Sequence, residues 1–103
     1  MLTDDVRSLP EEWLDVSDLF VALGDPQRQR ILLTFAPGGK LNVTQIVSAS
    51  TLSRTAISHH LKVLRQVGAL KSEKVGKEVY YWIDKEKITQ VMQRVLDYVK
   101  NNT

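Results

Sequence analysis

A chain of 103 residues, 43% hydrophobic and 25% charged with five Gly and three Pro, has the length for one core and the composition of an ordinary folded protein, which excludes a disordered or fibrous one. The absence of cysteine excludes disulfides, thiolate metal ligands and thiol redox sensing; no stretch approaches the roughly 20 apolar residues of a membrane span, and the acidic opening MLTDDVRSLPEE is not built like a signal peptide, so a cytoplasmic protein is expected. The net charge of +2 hides an asymmetry: residues 1–39 carry three basic and seven acidic side chains, residues 40–77 seven basic and one acidic, and residues 78–103 four of each.

Ser8, Pro10, Glu11 and Glu12 form a helix-start signal, a capping hydroxyl followed by Pro in the first turn and Glu three residues on. They predict a helix to about Leu23, ended by Gly24. Its apolar residues Trp13, Leu14, Val16, Leu19, Phe20 and Leu23 exceed what one face can hide in a thin domain, so part of this surface is expected to meet a partner chain. Asp25 caps a second helix with Pro26 at its first position, and Ile31, Leu32 and Phe35 give its apolar spacing until Pro37-Gly38-Gly39 stops it. Leu41 to Val43 reads as a short extended piece, and Asn42 with Gln45 resembles a capping box opening a short helix through Ile46, Val47 and Ala49.

Ser50-Thr51-Leu52-Ser53 then supplies a turn and a cap for the helix RTAISHHLKVLRQVG, which Gly68 terminates, and the result is a helix-turn-helix pattern. Ile57, Leu61 and Leu64 lie at i, i+4, i+7 and face the core, broadened by Ala56, His60, Val63 and Val67, while Arg54, Thr55, Ser58, His59 and Lys62 hold the other face. The runs Ala69 to Val75 and Glu78 to Ile83 flank Gly76-Lys77 and predict a β-hairpin with basic residues at its tip. Within Tyr80-Tyr81-Trp82 strand alternation sends neighbours to opposite faces, which argues against a stacking platform for single strands and favours core packing. From Asp84, a last helix places Ile88, Val91, Met92, Val95, Leu96 and Val99 on one stripe. With no repeat and no linker, residues 1–103 read as a single domain, mainly α with a small β-hairpin (α+β).

The segment 40–77 carries an excess of six positive charges, mostly Arg54, Lys62, Arg65, Lys71, Lys74 and Lys77 against Glu73 alone. Such an excess describes a polyanion-facing surface or a solvated face about equally well. The helix-turn-helix decides between them. Three segments, LGDPQRQRIL (23–32), LSRTAISHHLKVLRQVGAL (52–70) and KVGKEVYYWI (74–83), resemble the second helix, recognition helix and wing of the ArsR/SmtB family of winged helix-turn-helix transcriptional repressors. The resemblance covers nearly the whole chain. It implies a homodimer built by the first and last helices, bound to an inverted repeat of double-stranded DNA and usually released by an inducer.

In a helix-turn-helix the N-terminal residues of the second helix reach base edges, so Arg54, Thr55, Ser58 and His59 are the expected readers and Lys62 and Arg65 the expected phosphate contacts. Thr44 and Gln45 open the preceding helix, where N–H groups favour a phosphate. Lys74 and Lys77 would reach backbone or minor groove. Ser53 is read first as a cap, and His60 as packed against the hairpin. Trp13, Leu14, Phe20, Ile88, Val91, Met92, Val95, Leu96 and Val99 are the expected dimer interface. The last helix holds Asp84, Glu86 and Asp97 but no histidine, so no metal site and no cofactor are expected, and the inducer is left unnamed. An enzyme is not expected either, because the serines are accounted for by helix caps and no glycine-rich phosphate loop is present. The alternative is a winged-helix protein-interaction module that does not read DNA.

Overall fold

A computed structural model of the chain describes residues 8–103, and the acidic opening segment 1–7, part of the signal-peptide argument, lies outside the described residues. The elements in chain order are α1 (Leu14–Leu23), α2 (Pro26–Leu33), β1 (Leu41–Asn42), α3 (Val43–Ser48), α4 (Arg54–Gln66), β2 (Leu70–Val75), β3 (Glu78–Ile83) and α5 (Lys85–Asn102). A 3-10 turn, Glu11–Trp13, leads into α1. The expected cap at Ser8 is not formed there; the turn closes instead through the Trp13 N–H on the Pro10 carbonyl at 2.9 Å.

The other helix starts follow the capping chemistry. Asp25 accepts from the N–H groups of Gln27 and Arg28, Asn42 and Gln45 form a reciprocal capping box, Ser53 accepts from Ala56, and Asp84 accepts from Lys87. At the far end of α4 the Ala69 N–H reaches back to the Leu64 carbonyl at 2.9 Å and the Gly68 N–H to Arg65 at 3.1 Å, the paired bonds of a Schellman ending. This ending requires a left-handed residue, and Gly68 supplies it with φ of +82°. The chain is thereby turned from the helix directly into β2.

The predicted hairpin forms with Val75 opposite Glu78 and Leu70 opposite Ile83. Gly76 at φ +62° followed by Lys77, which keeps a negative φ, fits the type II′ connection that matches strand twist. The two residues of β1 add a third strand, giving the antiparallel order β1-β3-β2 with Leu41 opposite Tyr81.

One core ties these elements together: Val16 and Leu19 from α1, Ile31 from α2, Ile46 from α3, Ile57, Leu61 and Leu64 from α4, Ala69 and Leu70 from the hairpin and Val91 from α5. Three expectations need correction here. Val91 is wholly buried within its own chain, so it has no surface to give a partner; it sits at the centre of the α5 stripe, where the helix lies on the core. His60 is half-buried toward α2 rather than the hairpin, because its place on the back of α4 brings it to Arg28. Of the aromatic run only Tyr81 joins the core, since alternation along β3 turns Tyr80 and Trp82 to the outer face of the sheet.

Candidate nucleic-acid interface

Two short helices and the turn between them are fixed from inside by apolar residues and at their ends by caps. Ile46 anchors α3, and Ile57, Leu61 and Leu64 anchor α4, all without exposure. In the turn the Leu52 N–H donates to Ser50 Oγ at 3.0 Å, and the Ala56 N–H donates to Ser53 Oγ at 3.1 Å. With the apolar stripe of α4 inward, its remaining positions face out by geometry. Arg54, Thr55, Ser58, His59, Lys62 and Arg65 are all exposed. His59 and His60 diverge as adjacent helix positions must, one outward and one inward, with ring centroids 5.6 Å apart.

Arg54 and Thr44 are brought together: Arg54 Nη1 donates to Thr44 Oγ1 at 3.2 Å, linking the first turns of the two helices. Gln45 is also exposed, but its side-chain oxygen accepts from the Asn42 N–H at 2.8 Å and so serves the capping box. Ser53 acts as the cap the sequence predicts. Lys74 and Lys77 stand exposed around the hairpin tip, separate from the α4 face in the chain but on the same basic segment. Among the described residues Arg54, Lys62, Arg65, Lys74 and Lys77 make no ion pair, whereas Lys71 is held 3.9 Å from Asp84 and Lys40 3.9 Å from Glu73. Arg30, Lys85 and Lys100 are likewise without an ion pair among the described residues, but only α4 and the tip group several such cations on one segment. A row of guanidinium, hydroxyl and imidazole groups flanked by ammonium groups can donate to base edges and neutralise phosphates together.

Arg28 is the residue that the helix pattern alone does not reveal. From α2 its Nε donates to the Ala22 carbonyl at 2.6 Å and its Nη2 to the Val21 carbonyl at 3.4 Å, while Nη1 lies 3.4 Å from His60 Nδ1. One guanidinium thus joins the end of α1, the start of α2 and the back of α4. Asp25 beside it has its carboxyl held below the ordinary value of 3.8, first by the Gln27 N–H and further by the Arg28 N–H and charge. The only signal for Arg28 in the sequence is its place within the Gly-Asp-Pro segment.

A second surface lies on α1 and α5. Trp13, Ile88, Met92 and Val95 pack partly onto the core, but Leu14, Phe20, Leu96 and Val99 remain 48%, 46%, 50% and 52% exposed. Asp15 ties the two helices in cis, accepting from Arg94 Nη1 at 2.7 Å with Lys87 Nζ at 3.7 Å, and Arg94 also donates to the Glu12 carbonyl. Among the described residues no group of three His, Cys, Asp or Glu is placed to hold a metal ion, and no helix is long and apolar enough to cross a membrane.

Residues 25–72 match the family described as bacterial regulatory protein, arsR family. The cadmium resistance transcriptional regulatory protein CadC homolog of Staphylococcus aureus is 35% identical over 81 residues, covering 79% of this chain and 67% of that protein. The transcriptional repressor SdpR of Bacillus subtilis is 29% identical over 86 residues, covering 84% of this chain and 90% of that protein. Among solved structures, an ArsR-like transcriptional regulator from Rhodococcus sp. RHA1 superposes with a TM-score of 0.77 at 25% identity, over 88% of this chain and 84% of that one. The chain belongs to the ArsR family and is a DNA-binding transcriptional regulator built on a winged helix-turn-helix.

Proposed function

We propose that this regulator is a cytoplasmic repressor that binds an inverted-repeat operator as a homodimer. Arg54, Thr55, Ser58 and His59 read base edges in the major groove, Lys62 and Arg65 contact phosphate, and Lys74 and Lys77 reach the backbone or minor groove from the wing. Thr44 contributes by holding Arg54, and Gln45 and Ser53 by fixing the two helix starts against the DNA. Pairing uses Leu14, Phe20, Leu96 and Val99, with Trp13, Ile88, Met92 and Val95 packed beneath them; Val91 stays in the core. The observation that carries the reading is the outer face of α4, where six polar or cationic side chains stand exposed and its three cations make no ion pair among the described residues. Two-fold pairing then places successive half-sites about 34–36 Å apart or a multiple of it. Repression is supported by the similarity to the repressor SdpR of Bacillus subtilis, and a chain without cysteine has no thiolate to offer the cadmium named for the Staphylococcus aureus relative.

The test is an anisotropy titration of the full chain against duplex from its own upstream region. Arg54→Ala is expected to cost about 1–3 kcal/mol and to relax the preference at one base position in each half-site. Binding that is absent at low salt, or indifferent to both salt and Arg54→Ala, overturns the proposal.

A further inference from the structure

At the end of β3 the loop after α2 leaves a cavity of about 290 Å³, lined by Phe35, Pro37, Trp82, Ile83 and Lys85 among others. The loop is held tight by the Gly39 N–H on the Ala36 carbonyl at 2.8 Å, and a Cβ at Gly39 would stand only 3.0 Å from that oxygen. Gly38, at φ +69°, completes the turn. Trp82 is not consumed by the core, so one wall of the cavity is a half-buried indole on the outer sheet face.

The rim carries one cation without an ion pair among the described residues, Lys85, and the Lys40 ammonium lies 4.2 Å from the Trp82 ring centroid. Lys85 is also the first residue of the 18-residue α5, whose dipole adds positive potential at that end. Two nearby carboxylates are engaged, Asp84 with the Lys87 N–H at 3.1 Å and Lys71 at 3.9 Å and Glu73 with Lys40 at 3.9 Å, while Glu86, the exposed neighbour of Lys85 in the first turn of α5, makes no ion pair among the described residues and does not line the cavity. Two aromatic rings and a proline beside the Lys85 ammonium are complementary to a small molecule with an apolar ring and one negative charge. The volume lies at the lower edge of the roughly 300–1,000 Å³ of ligand pockets, which suits a single-ring compound rather than a nucleotide.

We propose that this cavity is an effector site for a single-ring aromatic carboxylate. Trp82 is opposite Lys71, four residue pairs from the tip pair Val75 and Glu78, or about 13 Å along the strand. A ligand there is distant from the wing tip but touches two segments that lead to the DNA-facing surface: β3, which carries the wing, and the loop that runs through β1 to Asn42, the cap of α3. Coupling to DNA follows if the bound and free forms differ in operator affinity, and this second part rests on the function proposed above.

The ligand site is tested without DNA, by calorimetric titration of the full chain with phenylacetate and with the neutral phenylacetamide. Saturable binding with the acid at least about tenfold tighter than the amide is expected, and Lys85→Gln should reduce that ratio toward one. A matching change in tryptophan emission should persist in Trp13→Phe and vanish in Trp82→Phe. No saturable binding, equal affinity for the amide, or a ratio untouched by Lys85→Gln overturns the site. Operator affinity is then measured with and without saturating phenylacetate: a shift supports the coupling, and an unchanged affinity overturns the coupling while leaving the site intact.

Discussion

The helices α4 and α5 are both amphipathic, yet they settle their apolar residues differently. In α4 the stripe Ile57, Leu61 and Leu64 is wholly buried, and none of its large apolar residues is exposed. In α5 only Val91 is fully buried, while Leu96, Tyr98 and Val99 stay about half exposed. A helix whose apolar side is completed within the chain has only polar groups left to offer, which suits it to reading a nucleic acid. A helix with apolar surface still in water gains about 25 cal/mol for each Å² a second chain covers, which suits it to pairing.

The comparison is broken most forcefully in the core of α4. Leu61→Ala should cost about 2–5 kcal/mol in urea unfolding, because a fully buried leucine leaves both lost transfer energy and a cavity. A loss under about 1 kcal/mol would mean that α4 is not the anchored helix described. The matching change on α5 is Leu96→Glu. It should leave far-UV circular dichroism nearly unchanged but convert dimer to monomer in sedimentation equilibrium, since a carboxylate would be buried at the paired face. Wild-type and variant chains sedimenting alike would remove the contrast between the helices.

A smaller effect separates cations that face outward freely from those held within the fold. Lys77→Ala should lower the slope of log affinity against log salt by about one unit, whereas Lys71→Ala, whose ammonium is already near Asp84 at the hairpin base, should change it less. Equal slopes for the two variants would show that the ion pairs of the free protein do not persist on DNA.

Most of this arrangement was legible because it depends on contacts close in sequence. The caps at Asp25, Asn42, Ser53 and Asp84 and the stop at Gly68 involve residues within a few positions of one another, and the structure forms each of them. The stripe of α4 followed from helical periodicity alone. Periodicity cannot divide the α5 stripe between the chain's own core and a partner, and so it places buried Val91 with half-exposed Leu96 and Val99. The partner of His60 was equally hidden, because Arg28 lies 32 positions away and the choice between α2 and the hairpin is made by packing. The outward turn of Trp82 was implicit in strand alternation once Tyr81 faced the core, but which parity faces inward is set by the register with β1 and β2.

The least forceful change tests how α5 is held on α1. Asp15 accepts from Arg94 Nη1 at 2.7 Å and from the Val16 N–H at 3.0 Å, and Lys87 stands 3.7 Å away. The Arg94 hydrogen bond is the largest cause of a carboxyl pKa below the ordinary 3.8, with smaller help from the Arg94 charge, the Val16 N–H and Lys87 against partial desolvation. A carboxyl whose pKa is lower in the folded than in the unfolded chain binds a proton more readily on unfolding. Its stabilisation is therefore complete above the ordinary value and is lost as the pH falls through the lower folded one. Because these groups are partly solvated, the effect is modest. Urea unfolding across the acid range should show Asp15→Asn less stable than wild type at neutral pH, with the two curves converging below the ordinary carboxylate value. A constant difference at every pH would mean that Asp15 acts through packing, and that the tie between α1 and α5 is not an ionic one.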